Sequence, residues 1–391
     1  MTFQAFDTFP NTTSRRLGTS FILLALFAGV LGGSMALPVF HIHPTAGQSL
    51  CHGVLMTFFV ICPAALGGFG QWLLPKALGT NKTSLPAASL AGFGFLACGV
   101  VLLPIFPAVG LLMWALGVLS VAVDIVATIL EERRISFRDA SPLVWSFLAT
   151  ASGAVVTAAV LAALVTKGLY RDDVVGLNDR LVTLLHLPET ALMLTPALGL
   201  VAAILLRRPV AGSLTWRVAP YVFGTIGLVG PLFWADSLFG GTPNSMLPAI
   251  ALLSQALPCA MLLAALCRDM WVERVELDGV TPWAFGALAL FASGWASMLF
   301  PGQDIAHSAA AFGSIMALCG GFYAWLSYQL PSVSLPRVGK LHALLTLAGS
   351  ICSVVPALAE VGGLIMGLSL IGFAVLGVTL MKEAGRVRVS S

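Results

Sequence analysis

The sequence contains little charge. Acidic and basic residues together make up 9% of its 391 residues, whereas 58% are hydrophobic. Because a soluble globular domain has about 25% charged residues, an ordinary water-exposed surface is excluded, and we predict a polytopic membrane protein in a lipid bilayer. The net charge of +3 is explained by membrane topology, so we expect no nucleic-acid partner.

Cysteine motifs are missing as well. The seven cysteines form neither a CxxCH sequence, which would attach haem covalently, nor a CxxC pair typical of a metal knuckle. All seven lie within or beside apolar segments, so we interpret them as packing residues and expect no disulfides. The connections between apolar segments are too short for a soluble domain. Residues 1–391 are therefore predicted to form a single transmembrane domain.

Apolar sequence of membrane-spanning length is abundant. Windows of about 20 residues predict an all-α membrane protein with twelve transmembrane helices. They lie near residues 18–37, 49–75, 84–105, 107–130, 143–166, 180–206, 218–240, 244–267, 282–300, 305–328, 340–356 and 361–382. The first is interpreted as a retained span, because it lacks the small-residue cleavage pattern of a signal peptide.

The basic residues indicate the orientation of the bundle. With the N-terminus inside, 17 of the 20 lysines and arginines fall in inner segments, and only Lys167, Arg171 and Arg180 fall outside. This asymmetry follows the positive-inside rule. It predicts that both termini are cytoplasmic, and we expect the membrane to be a bacterial inner membrane.

Two of the six histidines stand near the outer ends of predicted spans that run in the same direction. His52 opens the second span and His307 opens the tenth. Ionisable residues within a membrane are costly and are usually functional. Two neutral imidazoles at matched depth could bind one haem iron from opposite faces. The alternative is that each imidazole only hydrogen-bonds a neighbouring helix, and the pattern leaves both readings open.

The other four histidines are weaker candidates. His41 and His43 are expected to be solvated in an outer loop, and His342 is expected at the inner interface beside Lys340. His186 lies deeper in the sixth span, and its role is left open.

Several motifs together resemble one family. The second span contains HGVLM from His52, then Pro63, GGFG and Trp72, and this run closely resembles the second helix of subunit I of the haem-copper oxidases. Weaker likenesses are LGTSFILLALFAGVLGG in the first span, PLVWS at 142–146, LPE at 187–189, WADSLF at 234–239 and GGFYAW at 320–325. The resemblance implies that family's twelve-helix bundle and covers most of the chain.

The resemblance assigns the histidine pair a role. His52 matches the family's first axial ligand of the low-spin haem, and counting back from Gly321 places His307 on the second. Haem b is favoured over haem a, because Phe40 replaces the arginine that many relatives place near the haem a formyl group. The family's paired arginines for haem propionates are not evident after the eleventh span.

The family's oxygen-reducing centre is not retained. Leu187 stands where a copper-binding histidine is expected, and Ala191 replaces the tyrosine that follows it. Asp236 and Ser237 replace two further copper ligands, and Ile305 replaces the ligand of the high-spin haem. Because these side chains cannot rebuild the site, we expect no copper B centre, no high-spin haem and no reduction of oxygen or nitric oxide.

Some polar groups remain near the lost centre. Glu189 keeps the position of the family's buried glutamate, although Leu262 replaces the lysine expected in the eighth span. His186, Glu189 and Asp236 could converge as a proton relay, a quinone site or a polar plug, and the plug is slightly favoured. Asp124 in the fourth span is interpreted as hydrogen-bonded packing.

These expectations combine into one functional hypothesis. The chain is predicted to be a cytochrome b-like electron-transfer subunit of a larger respiratory complex, and not a terminal oxidase by itself. It would exchange electrons with a periplasmic dehydrogenase or cytochrome c and with membrane quinone. The alternatives are a haem-free structural or assembly subunit and a quinone-reactive or proton-conducting protein.

Overall fold

A computed structural model describes most of the chain. The described residues are 10–36, 51–170, 174–207, 212–238, 244–246, 249–250, 252–273, 275–297, 305–329 and 336–387; for 174–186 and 381–387 only the backbone is described. Within these ranges the structure is helical and contains no strand. His41, His43, Phe40 and the side chain of His186 lie outside the described part.

Twelve long helical segments occur within the described ranges. They are α1 Thr12–Ala36, α2 Cys51–Trp72, α3 Pro86–Leu102, α4 Pro107–Glu132, α5 Pro142–Tyr170, α6 Val174–Leu205, α7 Leu214–Leu238, α8 Leu252–Val272, α9 Thr281–Ser297, α10 Ala306–Gln329, α11 Pro336–Val354 and α12 Ala359–Val387. Short helical turns lie at Leu74–Ala77, Phe137–Asp139, Asn244–Met246 and Pro356–Leu358.

Nine of these described helices are long and apolar enough to cross a membrane, namely α1, α2, α4, α5, α6, α7, α8, α10 and α12. This establishes a multi-pass integral membrane protein. Helices α3, α9 and α11 occupy the positions of the other three predicted spans, and their assignment as spans stays a prediction.

Helix α2 departs from regular α geometry around a proline. Its segments Leu55–Ile61 and Pro63–Phe69 are π-helical, with hydrogen bonds from residue i+5 to residue i. The Cys62 N–H bonds the Thr57 carbonyl in this way, but Pro63 has no N–H for the next carbonyl, that of Phe58. The indole of Trp114 donates to that carbonyl instead, at 2.8 Å. A side chain of α4 therefore completes the widened turn of α2.

Glycine allows the neighbours of α2 to approach closely. A Cβ added at Gly67 would lie 2.3 Å from the ring of Phe21, and one added at Gly18 would lie 2.5 Å from the indole of Trp72. These contacts join α1 to α2, while α2 also contacts α4, α5, α6 and α10. Helix α2 is therefore the central helix of the bundle.

Aspartates cap three helix N-termini across the bundle. The carboxylate of Asp124 in α4 accepts from the Leu85 N–H just before α3, at 2.7 Å. Asp269 in α8 accepts from the Ser213 hydroxyl and the Thr215 N–H before and within α7, at 2.6 and 2.8 Å. A carboxylate at this place satisfies the free N–H groups and the helix dipole. The prediction that Asp124 is hydrogen-bonded packing is consistent with these contacts.

The third cap lies in the connection before α9. Asp278 accepts from the N–H groups of Val280 and Thr281 at 2.9 and 3.0 Å, and its other oxygen pairs with Arg207 at 2.6 Å. Burial alone would raise the pKa of Asp278, but these hydrogen bonds outweigh it and lower that pKa below 3.8.

Candidate functional site

The imidazole of His52 is oriented by the neighbouring helix. Its Nδ1 lies 2.9 Å from the carbonyl oxygen of Gly32 in α1. A carbonyl oxygen only accepts, so Nδ1 is a protonated nitrogen, and in the neutral imidazole Nε2 carries the lone pair. Metal-binding histidines are held in the same way, by a hydrogen bond from the nitrogen that does not bind the metal. The half-buried His52 is therefore in the correct tautomer to act as a ligand through Nε2.

His307 lies in the first turn of a helix that packs against α2. Helices α2 and α10 contact each other, and at their far ends Trp72 and Trp325 stack with ring centroids 3.7 Å apart. Twenty residues separate His52 from Trp72, and eighteen separate His307 from Trp325. In both helices the histidine therefore lies toward the end opposite the stacked pair, and His307, like His52, is half-buried.

A cavity opens beside His52, between α2, α10, α11 and α12. Its volume is about 250 Å³, and we call it the His52 cavity. Its lining includes His52, Met56, Phe312, Cys319, His342, Thr346, Gly363, Met366, Gly367 and Ser369. Small residues on α12 leave space, and apolar side chains form most of the walls.

The His52 cavity offers one haem ligand, but it is small for a haem, and His307 is not among its lining residues. The donor Nε2 of His52 is of the type that binds haem iron, and the walls are apolar as cofactor sites require. Cofactor pockets usually measure about 300–1,000 Å³, so a porphyrin needs more room than the His52 cavity gives. Met56 and Met366 are the flexible side chains whose movement would provide it.

His342 is half-buried and lines the same cavity. The Thr346 hydroxyl donates to the His342 carbonyl, so the Ser369 hydroxyl must donate to Thr346 across 2.7 Å. Ser369 then accepts from Nε2 of His342 at 2.9 Å, and the Tyr323 hydroxyl donates to Nδ1 at 3.0 Å. Both ring nitrogens are therefore engaged. This directed chain distinguishes His342 from His52, because it leaves His342 no lone pair for a metal.

A second polar group adjoins α2. The hydroxyl of Thr57 donates to the buried carboxyl group of Glu189 in α6, at 2.5 Å. Two residues before it in α6, the Leu187 carbonyl accepts from the side-chain amide of Gln255 in α8, at 2.8 Å. We call Thr57, Leu187, Glu189 and Gln255 the Glu189 cluster. Its polar groups are hydrogen-bonded across three helices.

The residues at the other positions of the expected oxygen-reducing centre differ in burial. Leu187 and Ala191 are buried in α6, and Ile305 is half-buried just before α10. Asp236 is exposed near the end of α7, and the half-buried Ser237 donates to the Trp234 carbonyl at 2.7 Å. Glu189 and Asp236 thus occupy different environments. The described residues contain no cluster of three or more His, Cys, Asp or Glu side chains placed to hold a metal ion.

Sequence reasoning missed the His342 chain and the helix caps. Tyr323, Thr346 and Ser369 belong to three different helices, and no sequence spacing brings them together. The π turns of α2 had one visible signal, the proline within an apolar span.

Comparison with known proteins places these features in a family. Residues 16–299 match the family model described as cytochrome c and quinol oxidase polypeptide I. The matched range contains His52 and Glu189 and ends before His307. Because it covers well over half of the chain, the chain belongs to this family, subunit I of the haem-copper oxidases.

Individual relatives are distant. The chain is 25% identical to cytochrome c oxidase subunit 1 of Thermostichus vulcanus, over 88% of this chain and 75% of the relative. It is 26% identical to cytochrome c oxidase subunit 1 of Synechocystis, over 81% of this chain and 68% of the relative. Identity this low leaves room for a changed function.

Proposed function

We propose that this member of the oxidase subunit I family is a membrane electron-transfer subunit that binds one low-spin haem b through His52 and His307. The observation that carries the proposal is the tautomer of His52, fixed by the Gly32 carbonyl so that Nε2 has the lone pair. The contact between α2 and the helix that His307 opens supports it. A haem bound by two histidines would supply reversible one-electron transfer without an open site for a small molecule.

Residues of this chain would limit the haem to electron transfer. Gly32 orients His52, and apolar side chains form most of the walls of the His52 cavity. At the positions of the lost centre, Leu187, Ala191 and Ile305 offer no lone pair for copper or a second haem iron. We therefore infer that the protein has no copper B centre and no high-spin haem and does not reduce oxygen.

The membrane arrangement belongs to the same proposal. All twelve helices would span a bacterial inner membrane with both termini cytoplasmic, which places His52 and His307 in its outer half. Haem at this depth could exchange electrons with a periplasmic dehydrogenase or cytochrome c and with quinone. Since no site for a further substrate is proposed, the chain would act as a subunit of a respiratory complex.

The second candidate is a haem-free structural or assembly subunit. The observation in its favour is the volume of the His52 cavity, about 250 Å³, together with the segment PALAEVGG that follows α11 and contains no arginine. A third candidate, a quinone-reactive or proton-conducting protein, would use His186, Glu189 and Asp236. The hydrogen bond from Thr57 to Glu189 is equally compatible with a polar plug in the vacated centre, which we favour.

Substitution of the histidines tests the assignment. His52→Ala and His307→Ala should each remove the six-coordinate low-spin haem spectrum and most of the iron from the purified protein. His342→Gln is the matched control, because His342 lines the same cavity with both ring nitrogens engaged, and it should keep both. Retention of the low-spin spectrum in His52→Ala would show that the axial assignment is wrong.

A further inference from the structure

A second cavity lies at the other end of α2. It measures about 340 Å³ and is bordered by α2, α5, α6 and α10; we call it the Trp72 cavity. The stacked indoles of Trp72 and Trp325 form one wall. Small residues, namely Ala203, Gly321 and Ala324, leave the space beside them. A chamber with an aromatic wall suits a planar ring, because such rings pack against each other offset or edge to face.

The charge of Arg207 at the mouth of the Trp72 cavity is compensated. Its guanidinium lies 2.6 Å from Asp278 and 3.8 Å from Glu276. Lys76, also at the mouth, has a partner of its own. Because opposite charges at these distances offset each other, the mouth does not select an anion. It favours a neutral ligand.

The mouth can still hydrogen-bond a neutral ligand. Of the five N–H groups of Arg207, Nε donates to the Ile204 carbonyl at 3.2 Å, and Nη2 donates to Asp278. Nη1 is beyond hydrogen-bond distance of Glu276 at 3.8 Å, so it can donate to a carbonyl oxygen. The Ser327 hydroxyl donates within its own helix, and its oxygen can accept from a hydroxyl group. The mouth therefore has both a donor and an acceptor.

Aromatic side chains connect the Trp72 cavity with the His52 cavity. Phe373 lines the His52 cavity, and its ring centroid lies 5.0 Å from that of Phe322. The Phe322 centroid lies 6.0 Å from the ring of Trp325 and 6.3 Å from that of Trp72. A single side chain thus separates the rings that line the two cavities. A redox-active ligand in one cavity is close to a cofactor in the other.

We propose that the Trp72 cavity binds the ring of a quinone, with a ring oxygen at Arg207 and Ser327. The oxidised ring accepts from Arg207, and the reduced ring donates to Ser327. The cavity is within the usual size range of ligand pockets, about 300–1,000 Å³. This site is distinct from the Glu189 cluster, and quinone binding there does not depend on haem.

The redox role of the site rests on the proposed function. A quinol becomes a quinone by losing two electrons and two protons. The electrons reduce ferric iron in the His52 cavity one at a time, with reoxidation by the external redox partner in between, and the protons leave through the polar mouth.

Photoreactive quinones provide the test. The purified full-length protein in neutral detergent is illuminated with an azido-benzoquinone or an azido-naphthoquinone, and labelled peptides are identified by mass spectrometry. We expect saturable labelling of residues 198–207 in and after α6 and of 320–327 in α10, and the probe that saturates identifies the quinone class. An unlabelled short-tailed quinone should abolish the labelling, whereas stearate, which is an anionic amphiphile, should not.

Three variants and one control examine the cavity and its mouth. Ala324→Leu and Ala203→Leu fill the chamber from two different helices, and each should weaken the apparent affinity about tenfold, equivalent to about 1.4 kcal/mol. Their control is Ala260→Leu, which adds the same atoms at an exposed position of α8 and should change nothing. Arg207→Lys keeps the positive charge but loses the fork of N–H donors, and it should weaken binding about fivefold, as expected for one hydrogen bond.

Two results would overturn the proposal. They are no saturable labelling of either segment, and displacement by stearate as effective as by the unlabelled quinone, which would identify a cavity for acyl chains. The haem spectrum separates this proposal from the proposed function. Labelling of both segments in a protein without low-spin haem would refute the electron-transfer function and retain the quinone site, whereas low-spin haem without labelling would refute the site alone.

Discussion

The His52 cavity and the Glu189 cluster both adjoin α2 and differ in what they offer a ligand. The His52 cavity keeps open volume and an imidazole with a lone pair directed by Gly32. The Glu189 cluster keeps a carboxyl group, but its neighbours are leucine and alanine, and its polar groups are hydrogen-bonded to one another. A ligand-binding site needs space and an available donor, and a structural cluster needs neither.

The sharpest test of this difference lies within the His52 cavity. His342→Phe removes both ring nitrogens. The hydroxyls of Tyr323 and Ser369 then lose their hydrogen bonds to this side chain. Membrane hydrogen bonds contribute about 0.6 kcal/mol on average and up to about 1.7, so we expect a loss of about 1–3 kcal/mol. Thermal unfolding in detergent measures it. The haem spectrum should stay intact, and its loss would place His342 among the ligands.

Substitutions in the Glu189 cluster should change the stability of the protein and leave haem content and haem reduction unchanged. Glu189→Ala removes the acceptor of the Thr57 hydroxyl and should lower the free energy of unfolding by about 1 kcal/mol, whereas Glu189→Gln keeps an acceptor and should be close to neutral. Haem content and quinol-dependent haem reduction are measured beside unfolding. Loss of reduction in Glu189→Gln, with haem retained, would indicate a proton or quinone site instead of a plug.

The widened turn of α2 can be tested separately. Trp114→Phe deletes the indole N–H that bonds the Phe58 carbonyl but keeps an aromatic ring in the same place. We expect a loss of about 0.6 kcal/mol, measured by thermal unfolding, with no change in haem content. Thr157→Val, which removes a buried hydroxyl that only bonds its own helix, is a suitable comparison. If Thr157→Val lost more stability than Trp114→Phe, the hydrogen bond from Trp114 to the widened turn would contribute no more than an ordinary buried hydrogen bond.

The smallest effect is expected at the Asp278 cap, remote from both centres. Its lowered pKa means that the ionised form stabilises the fold. That stabilisation is present above the ordinary pKa of 3.8 and is lost as the pH falls through the lowered value. Asp278→Asn should therefore unfold at a slightly lower temperature at neutral pH, and the difference should shrink in acid. If the difference in unfolding temperature between the wild type and Asp278→Asn did not change with pH, the ionised carboxylate of Asp278 would not be the stabilising group.

Sequence predicted the helical regions well, because apolar length is a property of each segment alone. His52 was identifiable for the same reason, as an ionisable residue at the start of an apolar segment. The partners of His342 could not be predicted, because Tyr323 and Ser369 belong to other helices. Asp236 was expected inside and is exposed on α7, since one sequence does not show which face of a helix meets its neighbours.

The most direct test of the central claim is an optical spectrum of the purified wild-type protein with iron quantification. The account predicts one six-coordinate low-spin haem per chain, visible in the reduced-minus-oxidised spectrum and unchanged by carbon monoxide. A carbon monoxide shift would reveal an open axial position, and the absence of iron would show that the His52 cavity belongs to a haem-free scaffold. Either result would contradict the proposed electron-transfer function.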